Sequence, residues 1–200
     1  MNCLPNVVGV ILAGGTGSRI GRVKQMLPFR GRTILECVIE SAVASLLHRV
    51  VVVIGYRADL VEPMLVGRKI TVVVNRDYES GQSYSIKAGL EALPEGTDAV
   101  LFMLGDQPLV APATINKILE AYRMSKSLIV IPVFNRKRGN PVLFSRETFH
   151  RLETLAGDCG ARPLFEEYAG RILEVPVEDG SIHFDIDTEE DYRLLIESEL

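Results

Sequence analysis

Residues 7–28 read VVGVILAGGTGSRIGRVKQMLP: an apolar run, Val7–Leu12, opens into a loop holding Gly14, Gly15, Gly17 and Gly21. A continuous apolar run rich in β-branched residues reads as a strand buried on both faces, as in parallel sheets. The glycines free the backbone to curl its N–H groups around an anion. Ser18 adds a hydroxyl, and Arg19 and Lys24 add two cations. That combination, directly after a buried strand, points to a triphosphate. The loop lacks the GK[ST] ending of a P-loop, and its Gly15-x-Gly17-x-x-x-Gly21 spacing is not the dinucleotide fingerprint. No acid closes the second strand to receive a ribose hydroxyl, because Val50–Ile54 runs into Gly55-Tyr56-Arg57. These points argue against a nicotinamide-binding oxidoreductase.

Outward from the loop the same alternation repeats. Val50–Ile54, Ile70–Val74, Ala99–Leu104 and Leu128–Val133 read as further buried strands. Helical periodicity runs through Ile34–Leu47, Ala58–Leu65, Tyr84–Leu93 and Thr114–Arg123. Strand and helix in alternation predict right-handed crossovers and a doubly wound, Rossmann-like α/β fold with a mostly parallel sheet. Shorter strands are expected at Pro141–Phe144, Ile172–Val175 and Ile182–Ile186, as a small antiparallel addition, with helices near Arg146–Leu155, Arg162–Tyr168 and Glu189–Glu197. No linker interrupts the chain. Residues 1–200 are expected to form a single domain, about 1–110 holding nucleotide and about 111–200 holding the acceptor and a second metal ligand. Ligands of open α/β sheets sit beyond the carboxyl ends of strands, so the site is expected among Ala13–Pro28, Asn75–Ser83, Gly105–Ala111 and Asp185–Thr188.

Composition sets the outer limits. The 200 residues are 47% hydrophobic and 24% charged, too apolar for disorder and too interrupted by charge for a membrane span. The net charge of −4 offers no overall positive field for nucleic acid. Three dispersed cysteines, Cys3, Cys37 and Cys159, form neither a disulfide framework nor a metal motif. With no leader-like start, a cytoplasmic location is expected. The charge is uneven, with all five cations of residues 1–35 (Arg19, Arg22, Lys24, Arg30, Arg32) preceding the first acid, Glu36.

The loop LAGGTGSRIGRVKQMLP (12–28) resembles the signature of the MobA-like nucleotidyltransferases. Further matches follow in order: NRDYESGQSYSIKAGL (75–90), LGDQPLV (104–110), GNPVLF (139–144), GDCGAR (157–162) and DIDTEEDY (185–192). Their set is most similar to the molybdenum cofactor cytidylyltransferase branch, whose members join CTP and molybdopterin and release pyrophosphate. The resemblance implies a glycosyltransferase-A-like fold. It implies nucleotide contacts at Leu12, Ala13, Gly14, Gly15, Gly17, Ser18, Arg19, Lys24, Asn75, Gly81 and Ser83. It places acceptor contacts at Asn140, Gly160 and Arg162. A molybdenum hydroxylase apoenzyme is the expected protein partner, with neither nucleic acid nor membrane involved. Ser83 reads equally as a helix cap, and Arg162 equally as an i,i+4 partner of Glu166.

Asp106 follows the strand ending at Leu104, and Asp187 precedes Thr188, the expected cap of the last helix. The resemblance implies that these two carboxylates hold Mg²⁺, with Mn²⁺ as the alternative ion, and phosphate oxygens and water complete such a shell. Asp185 is expected to turn away and be structural. Arg19, Lys24 and Asp106 are the expected catalytic groups, because phosphoryl transfer depends on positioning and charge neutralisation more than on a protein nucleophile. Two departures stand out. Positions 12–15 read Leu-Ala-Gly-Gly, the form common among guanylyltransferases, so GTP is the alternative nucleotide. The DTPED pattern appears as Asp187-Thr188-Glu189-Glu190-Asp191, without its proline. A sugar nucleotidyltransferase of the same fold and a non-catalytic protein that delivers cofactor to a molybdenum hydroxylase also fit these residues.

Overall fold

The uninterrupted apolar runs become strands of one sheet. The computed structural model describes residues 5–17 and 20–197, so Ser18 and Arg19 lie outside the described residues. The sheet contains β1 (Val7–Ala13), β2 (Arg49–Ile54), β3 (Thr71–Val74), β4 (Ala99–Leu104), β5 (Ile129–Phe134), β6 (Lys137–Arg138), β7 (Val142–Ser145) and β8 (Ile172–Pro176). Its order is β8-β5-β7-β4-β1-β2-β3, with β6 pairing to β5. Strand β1 is flanked in parallel by β2 and β4, and the β2/β3 and β5/β8 pairs are also parallel. Only β7, wedged between β4 and β5, and the short β6 run antiparallel in this sheet. A hairpin of Pro28–Phe29 with Arg32–Thr33 forms a separate antiparallel pair.

The helices are α1 (Ile34–Val43), α2 (Ala58–Val61), α3 (Gln82–Glu91), α4 (Pro112–Ser125), α5 (Phe149–Leu152), α6 (Pro163–Glu167) and α7 (Glu189–Glu197). Alternate side chains of each central strand leave by opposite faces. Val7, Ile11, Val52 and Leu101 join Ile39 of α1 and Ile115 and Ile118 of α4 in one core. Val8, Val10, Val51, Val53 and Phe102 join Ile86 and Leu90 of α3 in the other. This is why the strands read as apolar throughout. Helix α3 lies close on β1 because Gly89 has no side chain; a Cβ there would fall 2.5 Å from Val10 Cγ1. Helix α1 starts in a capping box: Thr33 accepts from the Glu36 N–H at 3.3 Å, and Glu36 accepts from the Thr33 N–H at 2.8 Å.

A third cluster, Ile20, Leu27, Phe29, Ile34, Ile186 and Leu195, packs the chain after the glycine loop against the C-terminal segment. Tyr192 of α7 donates to the Pro28 carbonyl at 2.8 Å, and Arg22 forms a forked ion pair with Glu189. Glu189, standing where the related motif has proline, thus makes its own contact with the loop region.

The expected strand over Ile182–Ile186 is not formed. Residues Gly180–His183 make a 3-10 turn, and an irregular stretch follows. Burial alternates as a strand's would, with Ile182 and Ile186 inside, but the backbone has loops rather than a sheet edge for neighbours. The Ile182 carbonyl accepts from the Asn140 N–H at 3.1 Å, and the Ile186 N–H donates to the Asp106 carbonyl at 3.1 Å. Among the described residues no helix is long and apolar enough to cross a membrane.

Candidate active site

At the carboxyl ends of β1 and β4 a cleft opens between Gly14, Gly15 and Thr16 on one side and Gly105, Asp106, Asp185 and Asp187 on the other. Tyr78–Gln82 and Ser85 close it from the start of α3, and Asp158 and Arg162 lie at its far end. The loop's carbonyls are tied back into the protein. The Gln25 amide donates to the carbonyls of Ala13 at 2.9 Å and Gly15 at 3.3 Å, and the Tyr56 N–H donates to that of Gly14 at 3.1 Å. With its acceptors engaged behind, the loop's donor side is left for an anion. Gln25 and Thr16 are cleft residues that sequence reasoning missed.

Asp106 and Asp187, far apart in sequence, meet at Lys24. The Lys24 ammonium donates to Asp187 Oδ1 at 3.0 Å and makes a still closer contact with Asp106 Oδ2. The lysine side chain is only 11% exposed. Burial works against its charge, but Asp106, and then Asp187, more than offset this and hold the ammonium above the ordinary lysine range. The cap of α7 positions Asp187: Asp191 Oδ2 accepts from the N–H groups of Asp187 at 3.1 Å and Thr188 at 2.8 Å, and the Asp191 N–H returns a bond to the Thr188 hydroxyl at 3.1 Å. Asp106 Oδ1 is buried and has no hydrogen-bond partner among the described residues. A buried carboxylate oxygen held with its second lone-pair set unused, beside another carboxylate, is a fitting donor for a hard divalent ion. Among the described residues no group of three or more His, Cys, Asp and Glu is placed to hold a metal, and an ion on Asp106 and Asp187 would need further oxygens from substrate or water.

Asp185 does not turn away. Residues two apart along an extended stretch share a face, and Asp185 lines the same cleft as Asp187. Desolvation of its carboxyl raises its pKa; Gln107 opposes this by donating a hydrogen bond, and the charges of Asp106 and Asp187 add to it.

The remaining expected nucleotide contacts divide. Leu12, Gly14, Gly15, Lys24 and Gly81 line the cleft. Asn75 sits behind it, donating to Ser85 Oγ at 3.0 Å and accepting from the Asp77 N–H at 3.0 Å, so Ser85 rather than Asn75 faces inward. Ser83 is fully buried and its N–H donates to the Gly157 carbonyl at 3.3 Å. Ala13 is buried in the sheet end, and Gly17 takes a left-handed conformation, φ +58°, where the loop turns. Gly81 and Gly160 allow tight contacts between α3 and the 157–162 loop; a Cβ at Gly81 would meet Gly157 at 2.5 Å.

A second pocket adjoins the cleft and shares Leu12, Gln82, Arg162 and Asp185 with it. Its wall includes Phe102, Phe144 and Phe165, and Asn140, Gly160 and Arg162 are at its polar side. Phe144 and Phe165 stack at 6.3 Å between centroids with an 11° interplanar angle, and Phe102 meets Phe144 edge-on at 5.9 Å. Among the described residues Arg162 makes no ion pair with Glu166, and it lines both pockets.

A parallel α/β sheet carrying a glycine loop, a buried lysine and paired carboxylates at its carboxyl edge is the frame of a nucleotidyltransferase. The family model for the MobA-like NTP transferase domain matches residues 9–172, and the chain belongs to that family. Asp187 lies beyond the matched stretch. The chain is 34% identical over 201 residues to the nicotine blue oxidoreductase of Paenarthrobacter nicotinovorans, covering 96% of this chain and 98% of the relative. It is 29% identical to the molybdenum cofactor cytidylyltransferase of Escherichia coli K12, covering 92% of each. The crystal structure of Rv0371c from Mycobacterium tuberculosis H37Rv in complex with manganese superposes with a TM-score of 0.84 at 32% identity, covering 96% of this chain and 99% of that one.

Proposed function

We propose that this protein is a divalent-metal-dependent cytidylyltransferase that joins CTP to molybdopterin and releases pyrophosphate. One juxtaposition carries the reading: the cleft that unites the glycine loop, Lys24 and two carboxylates opens directly into an aromatic-walled pocket suited to a flat heterocycle. The likeness to the Escherichia coli cytidylyltransferase supports the acceptor, and the manganese complex of the mycobacterial relative supports a divalent ion.

In this reading a terminal phosphate oxygen of molybdopterin attacks the α-phosphorus of CTP. A new P–O bond forms as the bond from the α-phosphorus to the bridging oxygen breaks, and the electron pair leaves with pyrophosphate. The loop N–H groups of Gly14, Gly15 and Thr16 cradle phosphate oxygens, and Lys24 neutralises the charge that grows on the leaving group. Asp106 and Asp187 would hold Mg²⁺ or Mn²⁺, which supplies Lewis-acid neutralisation of phosphate oxygens. Arg162, at the junction of the two pockets, orients the acceptor phosphate for in-line attack, while Asn140 and Gly160 border the ring. Arg19 would join Lys24 on the triphosphate. A molybdenum hydroxylase apoenzyme is the proposed recipient of the product.

Gly14 favours GTP as the second reading. The structure gives that glycine a separate reason, since a Cβ there would lie 3.1 Å from Ser85 Oγ. Purified protein incubated with molybdopterin and each NTP in turn, with products followed by mass spectrometry, tests both. Cytosine dinucleotide and stoichiometric pyrophosphate are expected. Turnover with GTP alone replaces the base assignment.

A further inference from the structure

We propose that Lys24 is the resident counter-ion of the metal site: its ammonium neutralises Asp106 and Asp187 while no divalent ion is present, and it moves to the triphosphate when metal and nucleotide arrive together. This rests on the reading of Asp106 and Asp187 as metal ligands.

The lysine nitrogen touches both carboxylates at once, and its side chain is 11% exposed. A divalent ion held by Asp106 and Asp187 would put a second cation beside the ammonium, and the two would repel strongly in so enclosed a place. Entry of metal alone would draw the carboxylates' negative charge away from a largely buried ammonium and leave its charge poorly compensated, which is costly. A triphosphate on the glycine loop removes that cost. Lys24 lines the same cleft as Gly14, Gly15 and Thr16, and its flexible stem passes Gly17, whose hypothetical Cβ would lie 3.5 Å from Lys24 Cγ. The ammonium therefore has two anionic stations on one short tether: carboxylates in the resting protein and phosphate in the loaded one. Metal and nucleotide must then bind with positive coupling, and the lysine must oppose binding of metal alone.

The test is Mn²⁺ affinity measured by electron paramagnetic resonance of the free ion, with no nucleotide present, on wild type, Lys24→Met and Lys24→Gln. Both substitutions are expected to tighten Mn²⁺ binding about tenfold, in the range usual for coupled sites, although both remove a group that helps to hold CTP. Lys24→Gln retains an amide donor between the carboxylates, so it reports even if the methionine variant fails to fold. Adding Asp106→Asn to either variant should abolish the gain. If the folded variants bind Mn²⁺ no more tightly than wild type while wild type does bind it, the counter-ion role is wrong and the ligand assignment stands. If neither wild type nor variants bind Mn²⁺, even with a non-hydrolysable CTP analogue, the ligand assignment itself fails.

Discussion

The Ile186 N–H donates to the carbonyl of Asp106 at 3.1 Å. This one backbone bond stitches the C-terminal segment to the loop after β4 and so sets Asp187, the next residue, beside Asp106. The α7 cap then holds Asp187 from the other side, through the Asp191 carboxylate. Both carboxylates are thus placed by backbone contacts, and Lys24 bridges a pair already assembled.

Asp106→Asn keeps the shape of the side chain and removes its charge. Transfer should fall by at least about a hundredfold in kcat, the scale of losing a principal electrostatic contact to the reacting phosphates. Circular dichroism should be unchanged. Near wild-type turnover in this variant would remove Asp106 from the chemistry.

Lys24→Ala should raise KM for nucleotide about tenfold or more, through loss of a charged phosphate contact. The ratio of kcat/KM for CTP and GTP should stay constant, because the ammonium lies on the carboxylates and its proposed role is toward phosphate rather than the base. Parallel kinetics with the two nucleotides check this, and a shifted ratio would contradict it.

Thr188→Ala removes the hydroxyl that accepts from the Asp191 N–H and donates to Asp191 Oδ2. Loss of such a cap costs about 1 kcal/mol. Because Asp191 also holds the Asp187 N–H, activity should drop several-fold beyond the loss of stability, and Thr188→Ser should restore both. Melting temperatures and kcat for the two variants separate the effects.

Gly14→Ala would press a methyl group on Ser85 Oγ, which Asn75 holds in place. Nucleotide binding should weaken several-fold, and Ser85→Ala in the same chain should recover much of it. Equilibrium binding of CTP and GTP across the double-mutant cycle would show a non-zero coupling between the two sites if steric contact is the cause. Purely additive effects would leave Gly14 to act through the base.

Glu36 closes the capping box of α1 and pairs with Arg68. Burial raises its pKa, but bonds from Thr33 and then the Arg68 charge outweigh it, so the folded value lies below the ordinary 4.5. A depressed carboxylate contributes stability above its unfolded pKa and loses it as pH falls through the folded one. Glu36→Gln should therefore be less stable at pH 7 by about 1 kcal/mol, a melting shift of about 2–4 °C. The gap from wild type should narrow as pH drops below 4.5. A gap independent of pH would assign the effect to cap geometry alone.

The parallel-type apolar runs and the glycine loop are legible in the sequence because burial on both faces leaves an unmistakable pattern. The wall of the cleft is less so. Asn75 and Ser83 have the right chemistry in the right segment, yet helical rotation turns Ser85 inward, and no spacing rule for a loop entering a helix distinguishes the three. Asp185 escapes any reading that sets positions two apart on opposite faces, since along an extended stretch they share one. Thr16 and Gln25 carry no local signal, since the contacts that give Gln25 its role are to carbonyls twelve and ten residues earlier.

Alone, the order of residues determined most of the elements and the strand ends at which the cleft opens, because hydrophobic period, glycine and capping chemistry are local properties. Only the tertiary structure decided that Asp106 and Asp187 share one lysine, and that Ile182–Ile186 laces loops together rather than extending the sheet. Those outcomes depend on which groups meet across 42 to 163 residues, and separation of that kind is closed by packing, not by any pattern along the chain.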